Sequence, residues 1–315
     1  MKRFLLTWVA CAIPALAAAQ GAWPDKPLKV VVPFGPGGSS DLMARLLQKT
    51  IEDEKLLTQP MAVVNVKGHF SIGSAQVKNT TPDGSNFLIL HLALLSGEVV
   101  DPGKGISYRD FEPVAMTGGF CLHHIVREDA PWKNLGELVT AAKAKPGTIL
   151  FGVNIGALNH LGGGFLERAT GAKFRFVQVG GGSENYAALK GSQTQTTMLS
   201  SSEYSNYKAG GMRSLGYTGP TRLESEPTVP TTKELGLGYE FCINNYWFAP
   251  KGTPKVAIDS MANALEKAMA SPALRKVQAE RASTVEFLKG DAFKKHLDDT
   301  FKSVEPIAKS LVSAK

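Results

Sequence analysis

Residues 28–45 read LKVVVPFGPGGSSDLMAR, and the order of residue types in that stretch decides the fold. Val30, Val31 and Val32 are an unbroken β-branched run, the pattern of a strand covered on both faces, as in a parallel sheet. Pro33 stops the run, and Gly35, Pro36, Gly37 and Gly38 form a turn almost without side chains. Ser39 or Ser40 can cap a following helix, with Asp41 in its first turn and Leu42, Met43, Leu46, Leu47 and Ile51 as its apolar face. Strand, turn and helix aim bare backbone N–H groups and a helix N-terminus at one point, which favours an anion. The turn lacks the Gly-Lys-Ser/Thr of a P-loop, and Ser40 stands where G-x-G-x-x-G needs its third glycine. A tight strand-to-helix turn without any ligand is the alternative.

The same alternation continues outward. Met61 to Val66 reads as a strand, Lys67 to Ser71 as a loop, Ile72 to Val77 as a helix start and Phe87 to Leu90 as a buried strand. A second series follows residue 120. Asn134 and Glu137 form a helix-capping pair, and Pro146-Gly147 ends that helix. Strands at 149–153, 174–179 and 196–199 each empty into a loop rich in Gly, Ser or Asn: Asn154 to His160, Gly180 to Ser183, and Ser200 to Ser202. Repeated strand–helix–strand units mean α/β architecture with right-handed crossovers. The C-terminal part is helical, with Thr253-Pro254 as a cap plus first-turn proline, Ser271-Pro272 as a second start signal, and Pro306 bending or ending the last helix.

The chain has 315 residues, enough for two domains with their own cores. Lys2 and Arg3, an apolar run to Leu16 and Ala17-Ala18-Ala19 read as a secretory signal peptide over residues 1–20. The run is too short to span a bilayer, and Trp8-Val9-Ala10 before Cys11 is a poor lipoprotein signal. Removing residues 1–20 takes away Lys2 and Arg3 and no acid, so the formal charge falls from +7 to +5. That balance suits an anionic small molecule or a plain basic surface. No dense Lys/Arg run interleaved with aromatics exists, so no nucleic-acid partner is expected. After export two cysteines remain, Cys121 and Cys242, either bridged or simply buried.

Catalytic patterns are missing. There is no G-x-S-x-G, no H-E-x-x-H and no paired C-x-x-C, so neither a nucleophile elbow nor a metal or other cofactor is expected. His123 and His124 are neighbours and point to opposite sides of a strand, which is wrong for chelation. The acidic residues do not cluster in the glycine loops. Those loops share donors, namely backbone N–H groups and Ser and Asn side chains, with His69 and His160 nearby. Donors without a base or nucleophile suit holding an anion better than transforming it.

Trp23-Pro24-Asp25-Lys26-Pro27-Leu28 followed by VVPFGPGGSSD and Ala44-Arg45 resembles the start of the tripartite tricarboxylate transporter receptors, the TctC or Bug family. Further matches run in order: Thr81-Pro82-Asp83-Gly84, Tyr108 to Val114, Ala142 to Gly147, Asn159-His160-Leu161, Lys208-Ala209-Gly210, Val229-Pro230-Thr231 and Ala249 to Pro254. The resemblance covers essentially the whole mature chain. It implies an α/β, two-lobed periplasmic binding protein of the Venus flytrap type, each lobe a sheet flanked by helices, joined by two crossover strands. The crossings should fall at 119–125 and 239–247, giving lobe 1 as 23–122 plus 244–315 and lobe 2 as 123–243. It implies a monomer that hands a small organic carboxylate to integral-membrane transporter subunits.

The family's ligand loops map onto Phe34, Gly35, Pro36, Gly37, Gly38, Ser39 and Ser40, and onto Lys67, Gly68, His69, Phe70 and Ser71. In the other lobe they map onto Asn154, Gly156, Ala157, Asn159, Gly180, Gly181, Ser183, Ser200, Ser201 and Ser202. Two departures stand out. Where the family often has Asn-Arg-Pro-Gly-Ala-Gly-Gly this chain has Asn65 to Ser71, so Phe70 either stacks on a ligand or staples the helix start. Gln178-Val179-Gly180-Gly181 replaces the family's frequent Pro-Tyr-Lys-Gly, which leaves room for a larger, aromatic carboxylate beside the dicarboxylic class. Cys121 and Cys242 fall on the two crossings, where a bridge depends on register. Two other functions fit the residues less well: a secreted α/β enzyme with His69 or His160 as general base, and a ligand sensor presenting its closed form to a membrane receptor.

Overall fold

A computed structural model describes residues 23–281 and 283–313; the signal-peptide reading of residues 1–20 lies outside them. The chain opens with β1 (Leu28–Val32), α1 (Ser39–Asp53), β2 (Met61–Asn65), α2 (Phe70–Lys78), β3 (Asn86–Leu90), α3 (Ala93–Val100) and the long strand β4 (Phe111–Arg127). Next come α4 (Leu135–Ala144), β5 (Leu150–Val153), α5 (Leu158–Thr170), β6 (Arg175–Gln178), α6 (Gly182–Lys190), β7 (Thr196–Ser200), α7 (Ser201–Tyr207) and β8 (Met212–Tyr217). The chain closes with β9 (Cys242–Pro250), α8 (Lys255–Ala270), α9 (Pro272–Glu280), β10 (Phe287–Lys289) and α10 (Gly290–Ser313).

The strands run in the order β2-β1-β3-β9-β4-β7-β5-β6, with β8 and β10 also paired to β4. β1 is parallel to both β2 and β3, and β5 is parallel to both β6 and β7, as the continuous apolar runs require. Val30, Val31 and Val32 are buried to 1% exposure or less. Burying each such side chain contributes about 1.5–3 kcal/mol.

Strand β4 joins the two halves of this two-lobed fold. From Phe111 to Cys121 it pairs with β9, while from Leu122 to Arg127 it pairs with β7 and β8. β9 lies antiparallel to it and carries the buried Tyr246, Trp247 and Phe248. The Trp247 indole N–H donates to Thr117 Oγ1 on β4 at 2.8 Å, so the buried donor is satisfied. Cys121 and Cys242 are register partners and are joined by a disulfide, with Cα atoms 4.0 Å apart.

Three local expectations change or narrow. Helix α1 begins at Ser39 with Gly38 at the cap position, and neither serine caps it. Pro254 sits at the cap position of α8, and the Thr253 hydroxyl donates to the Pro250 carbonyl at 2.8 Å instead of capping. Of the two readings of Pro306, ending the last helix is excluded, since α10 continues to Ser313. Proline costs the helix one backbone bond there, but Val304, Ile307, Ala308 and Leu311 are buried around it and packing holds the helix together. Asn134 does cap α4, accepting from the Glu137 amide at 2.9 Å.

Candidate functional site

The carboxyl ends of β1, β3, β5, β6 and β7 meet in one cleft between the lobes, where open α/β sheets place ligands. A small cavity lies there, walled by Phe34, Gly38, Ser39 and His91 of the first lobe and by Asn154, Ala157, Leu158, Asn159, Gly181, Gly182, Met198 and Glu203 of the second. Of the residues proposed from sequence, the structure brings Phe34, Gly38, Ser39, Asn154, Ala157, Asn159 and Gly181 to that wall. Helices α1, α5 and α6 all begin at it, and the first-turn N–H groups of a helix have no acceptor within their own helix. Phe34 and His91 stack at 4.9 Å with an 18° interplanar angle and form a flat face.

The remaining residues sit around the cavity and tie the lobes together. Gly37 takes a φ of +82°, and its carbonyl accepts from the Tyr207 hydroxyl at 2.9 Å. The Gly37 amide donates to Asp41 at 2.8 Å, which holds the Gly35-Pro36 turn in place. The Ser40 hydroxyl turns away to Asn245 at 3.2 Å. His69 caps α2 by accepting from the Ser71 amide on Nδ1, so its Nε2–H donates across the cleft to the Ile155 carbonyl at 3.0 Å. Burial holds its pKa below the usual histidine value and keeps it neutral. Asn154 Nδ2 donates to the Gly68 carbonyl at 3.0 Å, and the Ser96 hydroxyl donates to the Gly156 carbonyl. Ser202 and Ser283 share a hydrogen bond at 3.1 Å. The cleft is therefore closed.

Phe70 is 1% exposed, with its ring against Gly97 and Gly156. That packing favours the structural role over ligand stacking. Lys67 is exposed and away from the wall. Gly180 precedes α6 and Ser183 lies in its first turn, both beside Glu184, whose side chain reaches over Gly35 and Gly180. Ser200 and Ser201 carry structural bonds, Ser200 as the cap of α7 and Ser201 to the Cys121 carbonyl at 3.3 Å.

Sequence reasoning missed His91 and Glu203. His91 directly follows β3, and the rule that picked the other loops, the carboxyl end of a parallel strand, selects it too. Glu203 closes the pattern Ser200-x-x-Glu203, a capping box in which each side chain accepts from the other's backbone N–H. Its carboxylate does more. Oε1 accepts from the Ser39 amide of the opposite lobe at 2.8 Å, so the cap missing from α1 comes from across the cleft. The sequence places no cluster of acids in the glycine loops, yet this one carboxylate reaches the first of them from α7. Glu203 is 4% exposed, and burial pushes its pKa up against the lowering effect of the amides. His91 is held at about 3 by burial and is neutral.

The two histidines considered as general bases are committed elsewhere: His69 as above, and His160 Nδ1 to the Gly156 amide at 3.2 Å. Among the described residues no group of His, Cys, Asp or Glu is placed to hold a metal, and no helix is long and apolar enough to cross a membrane.

The family model for the tripartite tricarboxylate transporter family receptor matches residues 43–312. A UPF0065 protein of Bordetella pertussis is 31% identical over 87% of this chain and 87% of its own length. The solved periplasmic binding protein BugD is 27% identical, with a TM-score of 0.82, over 93% of this chain and 98% of BugD. Rpa4515 of R. palustris, solved with adipate, is 23% identical with a TM-score of 0.85, over 92% of this chain and 98% of its own, a likeness of fold.

Proposed function

This chain belongs to the tripartite tricarboxylate transporter receptor family, and from that premise we propose that it captures a small organic carboxylate between its lobes and delivers it to a membrane transporter of the tripartite type. The observation that carries the reading is the convergence of the starts of α5 and α6 on the cavity between the lobes, because helix N-termini offer unpaired donors to an anion. Closure excludes water and strengthens those charge-assisted bonds. A ligand that contacts both lobes shifts the open–closed equilibrium only by its preference for the closed state.

In this reading the lobes divide as 23–122 plus 244–315 and 123–243, the switch of β4 partners after Cys121 supporting the first boundary. The protein works as a periplasmic monomer and releases its ligand unchanged. Dicarboxylic acids are the first candidates, since adipate occupies the similar fold of Rpa4515, and aromatic acids come next because Phe34 and His91 present a flat stacked face.

The test is native mass spectrometry of the purified protein for a co-purified acid, followed by thermal shift against an acid panel. A saturating ligand at about 100 times its Kd should add about 2.7 kcal/mol of stability. Consumption of any acid by the pure protein, or no stabilisation by any acid, would overturn the proposal. Loss of uptake on deleting the transporter subunits, with binding intact, separates transport from sensing.

A further inference from the structure

The lobes close on a carboxylate of the chain itself. Glu203 stands on α7 of the second lobe and is 4% exposed. Its Oε1 accepts from the Ser39 amide of the first lobe at 2.8 Å, and its Oε2 accepts from the Ser200 amide at 2.7 Å. A Cβ on Gly182, the first residue of α6, would lie 1.9 Å from that Oε1, so a side chain there would push the carboxylate out. A Cβ on Gly38, just before α1, would lie 3.4 Å from it. The group therefore sits where the starts of α1 and α6, one from each lobe, come together. Backbone amides hold it, and among the described residues no Lys or Arg lines the cavity around it. Bare amides at helix starts are the donors that suit a ligand's carboxylate, and Glu203 takes one of them from inside. The cavity left beside it is about 20 Å³, room for a water and too little for an organic acid.

We propose that Glu203 is a built-in competitor of the ligand: its carboxylate takes the Ser39 amide in the empty protein, holds the two lobes together, and has to leave before an acid can bind. This rests on the carboxylate-binding reading above and adds a control to it. The two ends of the contact belong to different lobes, so it exists only in the closed form and favours that form without any ligand. An acid arriving at Ser39 finds its donor taken and a like charge beside it. If the binding-competent form is about a tenth of the empty population or less, the apparent affinity is at least about ten-fold below the intrinsic one. A closed shape then does not tell a loaded protein from an empty one.

Small-angle scattering and isothermal titration test this, with succinate, malate, adipate and benzoate as probes. The empty wild type should already scatter as the closed structure does, with no contraction at saturating acid. Glu203→Ala removes the carboxylate, while the Ser200 hydroxyl still accepts the backbone amide of residue 203 and keeps α7 capped. Empty E203A should be expanded relative to the wild type, contract on binding, and hold at least one probe ten-fold or more tighter. Glu203→Gln is the second variant, should E203A fail to fold. Its side chain has one acceptor oxygen for the two N–H groups that the carboxylate accepts, so it should shift both readings in the same direction by less. An empty wild type that is open and contracts on acid, an empty E203A as compact as the wild type, or no gain of affinity in E203A would each overturn the proposal. If no probe binds any of the three proteins, the carboxylate reading fails, and the scattering of the empty forms alone decides whether Glu203 closes the lobes.

Discussion

The Tyr207 hydroxyl donates to the Gly37 carbonyl at 2.9 Å, which fastens α7 of the second lobe to the glycine turn of the first. Burial and the neighbouring Glu203 push the phenol up to about 12, so it remains a donor at any physiological pH. Tyr207→Phe removes only this bond, because the ring still stacks on Tyr186 at 4.2 Å. One neutral hydrogen bond is worth about 0.5–1.5 kcal/mol, so ligand affinity should fall about 2- to 10-fold, through a faster off-rate. Stopped-flow release with unchanged thermal stability checks it; an unaltered off-rate would show that the bond does not hold the closed state.

Closure also depends on an absence. Gly156 has a φ of +79°, and a Cβ there would lie 3.1 Å from the Gly97 Cα of the opposite lobe. Gly156→Ala therefore strains the loop and wedges the lobes apart. The variant should stay folded, show a larger radius of gyration by small-angle scattering with ligand, and bind at least ten-fold more weakly. A compact liganded form with full affinity would contradict the close approach.

The Cys121–Cys242 bridge closes a loop with a sequence separation of 121. Disulfides typically contribute roughly 2–4 kcal/mol, and a loop this long falls toward the upper end. Reduction, or paired Cys→Ser substitution, should lower Tm by about 5–10 °C. Non-reducing mass spectrometry supplies the independent check, since two free thiols in the exported protein would remove the basis of the prediction.

Acid should unfold this protein steeply. Burial holds His91, His123 and His124 each at about 3, against 6.5 for an ordinary histidine. An unfolded chain protonates all three below pH 6.5 while the folded one does not. Stability is therefore intact above that value and drains away as pH falls toward 3. Three extra protons on the unfolded state give a slope of about 4 kcal/mol per pH unit near pH 5. Denaturant titrations between pH 7 and 4.5 should show it. His123→Gln, whatever it does to absolute stability, should flatten the slope by about a third.

Much of the architecture was legible because it is local. Val30 to Val32 followed by the glycine turn, or Asn134 with Glu137, carry their structure within a few residues. The site was legible only as a set of loops. Ser39 and Glu203 are 164 positions apart, and no pattern around either announces that one caps the other's helix. The Ser39-Ser40 pair looked like a cap because those residue types usually are one, but Gly38 holds the cap position and the serines lie inside the first turn. Phe70 was ambiguous for a similar reason: a ring at a helix start serves packing or stacking, and only Gly97 and Gly156 across from it decide for packing.

The unbroken run of β4 has a consequence for anyone dividing this gene. Cys121 completes the ladder with β9, and Leu122, the next residue, begins the one with β7. A cut between them would leave each product with half a central strand and an open sheet edge prone to self-association. Neither half is expected to be soluble when expressed alone, whereas co-expressed halves should reassemble along that shared strand.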